Sequence, residues 1–405
     1  MRILIVTQYF WPENFVINSL TLELKNKGHE VFVLTGLPNY PTGKITDGYS
    51  FWKNNNEIWN GIKIFRSKII PRFSGKGFFL FVNYLSFVVF SSLKLLFYID
   101  LKPDIIFVYE PSPITVGIPA IVAKKKFNGV PIYFWVQDLW PDSIKDTGAI
   151  KNKFILNFID KFTRYIYKKS NIILVQSKAF ADYIINQGVP ANKIIYFPNP
   201  TERFYKVSEI KQEYMKSFPK GFNLIFAGNI GEAQSFDTLI EAAFKLKELK
   251  YPIYWNIIGD GRSRDYFKNK VYNLNLQDNF IFRGITKPEK MPFYFACGDA
   301  LIVSLKKSKI FSLTIPAKVQ SYLACGKPII GSIDGEGAKL ILEAKAGFVS
   351  SSQDVKHLVN NIIKLYKLSD IERDVLGNNG RLFFDKEFEM DLLLNKLEII
   401  FQKHK

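Results

Sequence analysis

The chain has 405 residues, 47% of them hydrophobic and 23% charged, with a formal net charge of +18. That length exceeds one ordinary core and suits two domains of about 200 residues each, and the apolar content excludes a disordered chain. The positive excess calls for something anionic (nucleic acid, an acidic membrane surface or a phosphorylated substrate), although lysine spread along the whole sequence would give the same total. Cys297 and Cys325 cannot form a disulfide framework and read as packed thiols in a reducing compartment.

In chain order, Met1–Thr7 reads as a first buried strand rather than a leader peptide. Further apolar runs predict parallel strands near 31–35, 63–67, 104–109, 131–136, 171–176 and 193–197. Helical patterns fall at Asn18–Lys27, 78–98, Thr115–Phe127, Phe154–Lys168 and Ala179–Asn186. The segment from Phe78 to Tyr98 is very apolar, but Asn83, Ser86, Ser91, Ser92 and Lys94 interrupt it, so it makes a poor membrane span. Arg66, Lys68, Arg72, Lys76, Lys94 and Lys102 surround it, which suits either a helix in a headgroup interface or a core helix. Thr201–Lys220 is polar and lysine-rich, as in a linker. The alternation then restarts, with strands near 223–228, 253–259, 279–283, 299–304 and 328–331 and helices at 236–248, 263–272 and 317–324. The tail from Glu387 is predicted as one amphipathic helix. Two successive α/β domains follow, 1–200 and 201–385, with 386–405 as a helix packing back towards the first.

In open parallel sheets ligands sit at the carboxyl ends of strands, so the strand-to-loop junctions are where chemistry is expected, in a cleft faced by both domains. They are Gln8-Tyr-Phe-Trp-Pro-Glu13-Asn14, the loop Gly36–Gly43 with its two prolines, Tyr109-Glu110-Pro111-Ser112, and Gln137-Asp138-Leu-Trp-Pro141. Each also suits a plain turn. Asp138 directly follows a buried strand and should project from the sheet edge. Later, Gly228-Asn229-Ile-Gly231 ends a strand ahead of a helix, where backbone amides can approach a phosphate. Arg283 follows another strand, within possible reach of the same edge.

Pro316-Ala-Lys318-Val-Gln320-Ser321 through Gly326-Lys-Pro328 is the most informative stretch. Pro316 can start a helix, Lys318 then lies in the first turn, and Gly326 can close the helix with positive φ. A strand, a helix N-terminus and a lysine outline a diphosphate cradle, hence a nucleotide-sugar site. A surface helix with one solvated lysine has the same spacing. His29, His357 and His404 form no metal-ligand pattern and supply no general base, and there is no Walker motif, serine elbow or nucleic-acid module. No metal, cofactor or nucleic acid is therefore expected.

The order of these motifs resembles the retaining family 4 glycosyltransferases of GT-B fold, and within them the bacterial L-fucosamine-transferase-like enzymes of surface polysaccharide synthesis. The likeness rests on Lys27-Gly-His-Glu-Val31, Pro38-Asn39-Tyr40-Pro-Thr-Gly43, Asp138-Leu-Trp-Pro141, Gly228–Gly231 and the 316–328 helix. It implies two Rossmann-like domains and metal-free transfer of a sugar such as FucNAc from a nucleoside diphosphate donor, UDP first. It also implies a polyprenyl-pyrophosphate-linked glycan acceptor, at an anionic membrane surface on the cytoplasmic side. Lys318 and Asp138 become the candidate catalytic residues, with Gly228, Asn229, Gly231, Arg283, Pro316, Gln320 and Ser321 on the donor side. Glu13, Asn14, Asn39 and Tyr40 fall on the acceptor side. Many relatives carry paired glutamates around the donor helix; here those positions read Leu313 and Ser321, leaving Gln320, Ser321, Glu336 or Glu343 to replace the ribose-binding carboxylate. That loss also leaves open a non-catalytic nucleotide-sugar or glycan-binding scaffold.

Overall fold

The computed structural model describes residues 1–53, 55–73, 77–146 and 150–403, so Lys76 and His404 lie outside it. The chain divides into two units, one of Met1–Pro200 with Leu393–Lys405 and the other of Thr201–Leu392. Residues 386–392, read from sequence as part of the terminal helix segment, therefore stay with the second unit.

The first unit is built on an eight-stranded sheet: β1 (Arg2–Val6), β2 (Glu30–Gly36), β3 (Glu57–Trp59), β4 (Ile62–Ser67), β5 (Ile105–Glu110), β6 (Ile132–Val136), β7 (Ile172–Val175) and β8 (Ile194–Tyr196). Their spatial order is β3-β4-β2-β1-β5-β6-β7-β8. All neighbours pair in parallel except β3, which runs antiparallel to β4. Helices cover the sheet, so its inner strands are buried on both sides and read as unbroken apolar runs; β5 and β6 are buried at every position.

The second sheet holds β9 (Phe222–Ala227), β10 (Ile253–Ile258), β11 (Phe280–Gly284), β12 (Ala300–Ser304), β13 (Ile329–Ser332) and β14 (Gly347–Ser350), in the parallel order β11-β10-β9-β12-β13-β14. In each unit the strand order reverses once, between β1 and β5 and between β9 and β12, which opens a crevice at the carboxyl edge.

Sequence periodicity missed β3 and β14, short edge elements of three and four residues. The predicted tail helix is Met390–Lys403, whereas periodicity also missed helices Asp370–Glu387 and Val355–Lys367. The first of that pair starts on a reciprocal cap, Ser369 with Glu372, a spacing visible in the sequence. The terminal helix belongs to the first unit: the Phe401 ring packs 4.9 Å from Tyr133 and 5.7 Å from Phe107. Glu398 accepts from Lys27 Nζ at 2.7 Å and lies 2.8 Å from His29 Nε2. His29 is thus a structural tie, and His357 lies in the first turn of its helix, where the N-cap Asp354 accepts from its backbone N–H at 3.0 Å and lies 2.6 Å from its ring.

Candidate functional site

In the second unit β9 ends at Ala227 and Gly228 turns the chain with φ 128°. Pro316 is the N-cap of helix Ala317–Ala324, one position outside it, with φ −66° and ψ 130°. Lys318 is then the second helical residue. Its Nζ lies 3.9 Å from the centre of the Phe226 ring, and a Cβ on Gly228 would stand 2.6 Å from its Cε. Burial pushes the Lys318 ammonium down to about 7. Among the described residues no carboxylate pairs with it. A desolvated cation at a helix N-terminus is a site that an anion would complete.

Glycines hold this edge together. Gly259 crosses Gly228 so closely that a Cβ would fall 2.0 Å from its carbonyl oxygen, and a Cβ on Gly261 would fall 2.2 Å from the Ile230 oxygen. Ile230 N–H donates to Asp260 O at 2.8 Å. The Gly231 amide donates to Gln234 Oε1 at 3.2 Å, beside the Asn229 side chain. Gly326, at φ 64°, ends the Lys318 helix by donating to Leu323 O.

The remaining donor-side candidates divide. Gln320 and Ser321 are buried, and the Ser321 hydroxyl donates back to Lys318 O at 3.1 Å. The turn before helix Gly335–Glu343 reaches the same place, since a Cβ on Gly337 would sit 2.8 Å from Pro316 Cδ. Glu336, in that first turn, pairs with Lys339 at 3.1 Å and is mostly shielded, whereas Glu343 is exposed. Arg283 is not part of this group. Its guanidinium donates to Asn256 Oδ1 at 2.7 and 2.9 Å and to Ser217 O at 2.8 Å, and stacks 4.1 Å over Phe218. The buried amide of Asn256 needs a partner, and Arg283 provides it; the expected phosphate role is corrected to a structural one.

In the first unit Glu13 reaches from the loop after β1 to the loop after β2, where its Oε1 accepts the amides of Asn39 at 2.8 Å and Tyr40 at 2.7 Å. Burial raises its carboxyl to about 7 against the pull of those amides and of Arg66. Asn39 is fully buried and donates to Leu37 O, so it shapes the loop from inside. Asn14 and Tyr40 are exposed. Tyr40 faces Tyr9, whose hydroxyl accepts from Arg72 at 2.7 Å, and the Arg72 guanidinium lies over both rings.

Asp138 sits past β6 in a shielded niche with Ser112 and Trp140, whose indole N–H donates to Ser112 Oγ at 3.2 Å. Burial raises its carboxyl despite hydrogen bonding from its surroundings. The neighbouring strand brings up Glu110, fully buried, with no close hydrogen bond to either carboxylate oxygen and only the pull of the Asp138 and Gln137 amides to favour its charge. Burial, then the charge of Asp138, raises Glu110 well above the usual range, which favours the neutral acid. Sequence reasoning passed over Glu110 as part of a turn, although a carboxylate ending the strand next to that of Asp138 was a usable signal. Tyr9, Arg66 and Arg72 were missed because their partners are remote in sequence. No group of three or more potential metal ligands occurs among the described residues.

Two Rossmann-like sheets of this topology are the frame of a GT-B glycosyltransferase, and that is the class of this chain. Residues 14–200 match the family described as glycosyl transferase 4-like domain, and residues 209–383 match glycosyl transferases group 1. Among curated relatives, the putative colanic acid biosynthesis glycosyl transferase WcaI of Escherichia coli K12 is 25% identical over 76% of this chain and 77% of its own. The alpha-galactosylglucosyldiacylglycerol synthase of Streptococcus pneumoniae is 24% identical over 42% of this chain and 46% of its own. Among solved structures, HepE of Anabaena in complex with UDP superimposes over 100% of both chains with a TM-score of 0.71 at 13% identity.

Proposed function

We propose that this glycosyltransferase moves a sugar, with retention of configuration, from a UDP-linked donor to a lipid-linked glycan in bacterial surface polysaccharide synthesis, working at the cytoplasmic face of the cell membrane. The observation that carries the donor half is Lys318, a shielded ammonium without a carboxylate partner among the described residues, over the turn at Gly228. The diphosphate would supply the missing negative charge and receive the amides of the helix start. As the glycosidic bond to phosphate breaks, the same groups stabilise the charge gathering on the leaving nucleotide. UDP is favoured because HepE, of the same fold, binds it. Glu336, whose chain neighbour Gly337 packs against Pro316, is the carboxylate we favour to meet the ribose in place of the one missing at Ser321. The names of WcaI and of the diacylglycerol-lipid synthase support an acceptor in polysaccharide or glycolipid assembly. An N-acetylated amino or deoxyamino sugar such as FucNAc is the donor sugar we favour, on the motif resemblance. Glu13, Asn14, Asn39 and Tyr40 would shape the acceptor side, with Asp138 orienting the hydroxyl or the reacting sugar.

Thermal stabilisation by UDP, GDP, dTDP and ADP tests the donor assignment, because a ligand of the native state raises its melting temperature. UDP should stabilise the wild type, and Lys318→Met should abolish the shift. Equal shifts in both proteins would remove Lys318 from the site, and no shift with UDP would refute the donor.

A further inference from the structure

The helix Gly77–Tyr98 is built inside out. Its polar side chains face the protein: Asn83 donates to Ile70 O at 2.6 Å and accepts from Gln8 at 2.8 Å, and the Ser86 hydroxyl accepts from Ile70 N–H at 2.9 Å. Its outer face is a continuous apolar stripe of Phe78, Phe81, Leu85, Val89, Leu93 and Leu96, at spacings of three and four; Phe78 is 74% exposed and Phe81 62%. A helix in water has the opposite arrangement. The residues that seem to interrupt an apolar span in the sequence all turn inward, so nothing polar breaks the outward stripe, which runs about 27 Å along the helix axis.

The opposite side of the helix packs on β2, β4 and helix Gly117–Lys126, so it lies on the unit and cannot cross a bilayer without leaving it. Its first turns stand beside the acceptor-side loop: Phe73 N–H donates to Gly43 O at 2.8 Å, and Arg72 covers Tyr40. Helix Gly117–Lys126 also packs against helix Lys153–Lys169, whose opening turns expose Phe154 and Phe158, the former 87% exposed. Between Glu57 and Asp100 the chain carries no acidic residue; Lys63 and Lys68 are exposed, Arg72 and Lys94 half-buried, and Arg66 is buried against Glu57. Two copies of so basic a surface repel each other, whereas acyl chains beneath anionic headgroups satisfy both its apolar stripe and its charge.

We propose that the outward stripe of helix Gly77–Tyr98, with Phe154 and Phe158, beds in the interface of an anionic bilayer, setting the Glu13–Tyr40 side of the first unit at headgroup level. This deepens the lipid-acceptor reading by naming the surface that meets the lipid. Vesicle binding needs no sugar transfer, so the two readings fail separately. The test is cosedimentation of the full chain with phosphatidylcholine vesicles made with and without phosphatidylglycerol. The wild type should partition to the anionic vesicles, more weakly at high salt. Phe81→Glu with Leu85→Glu should lower that partition at least about tenfold, leaving melting temperature and UDP stabilisation unchanged, while Tyr266→Glu on the second unit should change nothing. Should the double variant not fold, Phe78→Ser in the first turn serves instead. Absence of wild-type binding, or binding that survives the substitutions, would overturn the proposal. So would a dimer in light scattering that the substitutions dissociate, since a second copy would then be the occupant.

Discussion

At the scale of single residues, the chemistry turns on groups whose charge is unsettled by burial. The Lys318 ammonium, lowered from its ordinary 10.5 to about 7, weakens the fold as pH falls through that interval, because the unfolded chain takes up a proton that the native chain resists. A bound diphosphate reverses the preference. UDP binding near pH 8 should therefore take up to about one proton, visible by calorimetry in buffers of different ionisation heat, and Lys318→Met should remove the uptake. Glu13 behaves in the opposite sense. Its carboxyl rises from 4.5 to about 7, so the stability it affects is present in acid and is lost as pH climbs from about 4.5 through 7. Glu13→Gln keeps an acceptor for the Asn39 and Tyr40 amides and should flatten that slope, by about 1–3 kcal/mol in urea titrations at pH 5 and 8. An unchanged slope would show that Glu13 ionises freely.

At the scale of elements, the donor turn depends on close backbone crossings. Gly228→Ala would place a methyl on a residue at φ 128° and against the Lys318 stem. It should lower stability by about 1–3 kcal/mol and displace the lysine, weakening UDP binding more than its effect on melting predicts. Gly231, at an extended φ of −135°, has no such backbone demand, and Gly231→Ala should cost less. Both glycines are conspicuous in the sequence as Gly-x-x-Gly. What separates them is the backbone φ each adopts, which no local pattern encodes. The same holds for helix Gly77–Tyr98: its length and apolarity are legible, but the inward turn of Asn83 and Ser86 depends on Gln8 and Ile70.

For the whole molecule, the last helix completes the first unit rather than the second. Phe401 fills a fully buried place against Phe107 and Tyr133. Phe401→Ala should destabilise that unit by about 3–5 kcal/mol. Hydrogen exchange would read the effect as faster exchange in β5 and β6, with β9 to β14 unaffected. Uniform acceleration across both sheets would mean that the units unfold together.

The sequence by itself determined the alternation of strands and helices, the restart after Pro200 and the helix that carries Lys318. These are local matters of apolar runs, proline and glycine, and the residues that cause them are adjacent in the chain. It also marked Asp138 and Glu13 as sheet-edge carboxylates. Only the tertiary structure decided that Arg283 serves Asn256, that Glu110 is buried beside Asp138, and that Gly337 packs on Pro316 at the start of the Lys318 helix. It alone turned the polar side of helix Gly77–Tyr98 inward. Each of those outcomes depends on burial and on partners from other elements, and a side chain's environment becomes defined only when the sheets and their covering helices close around it.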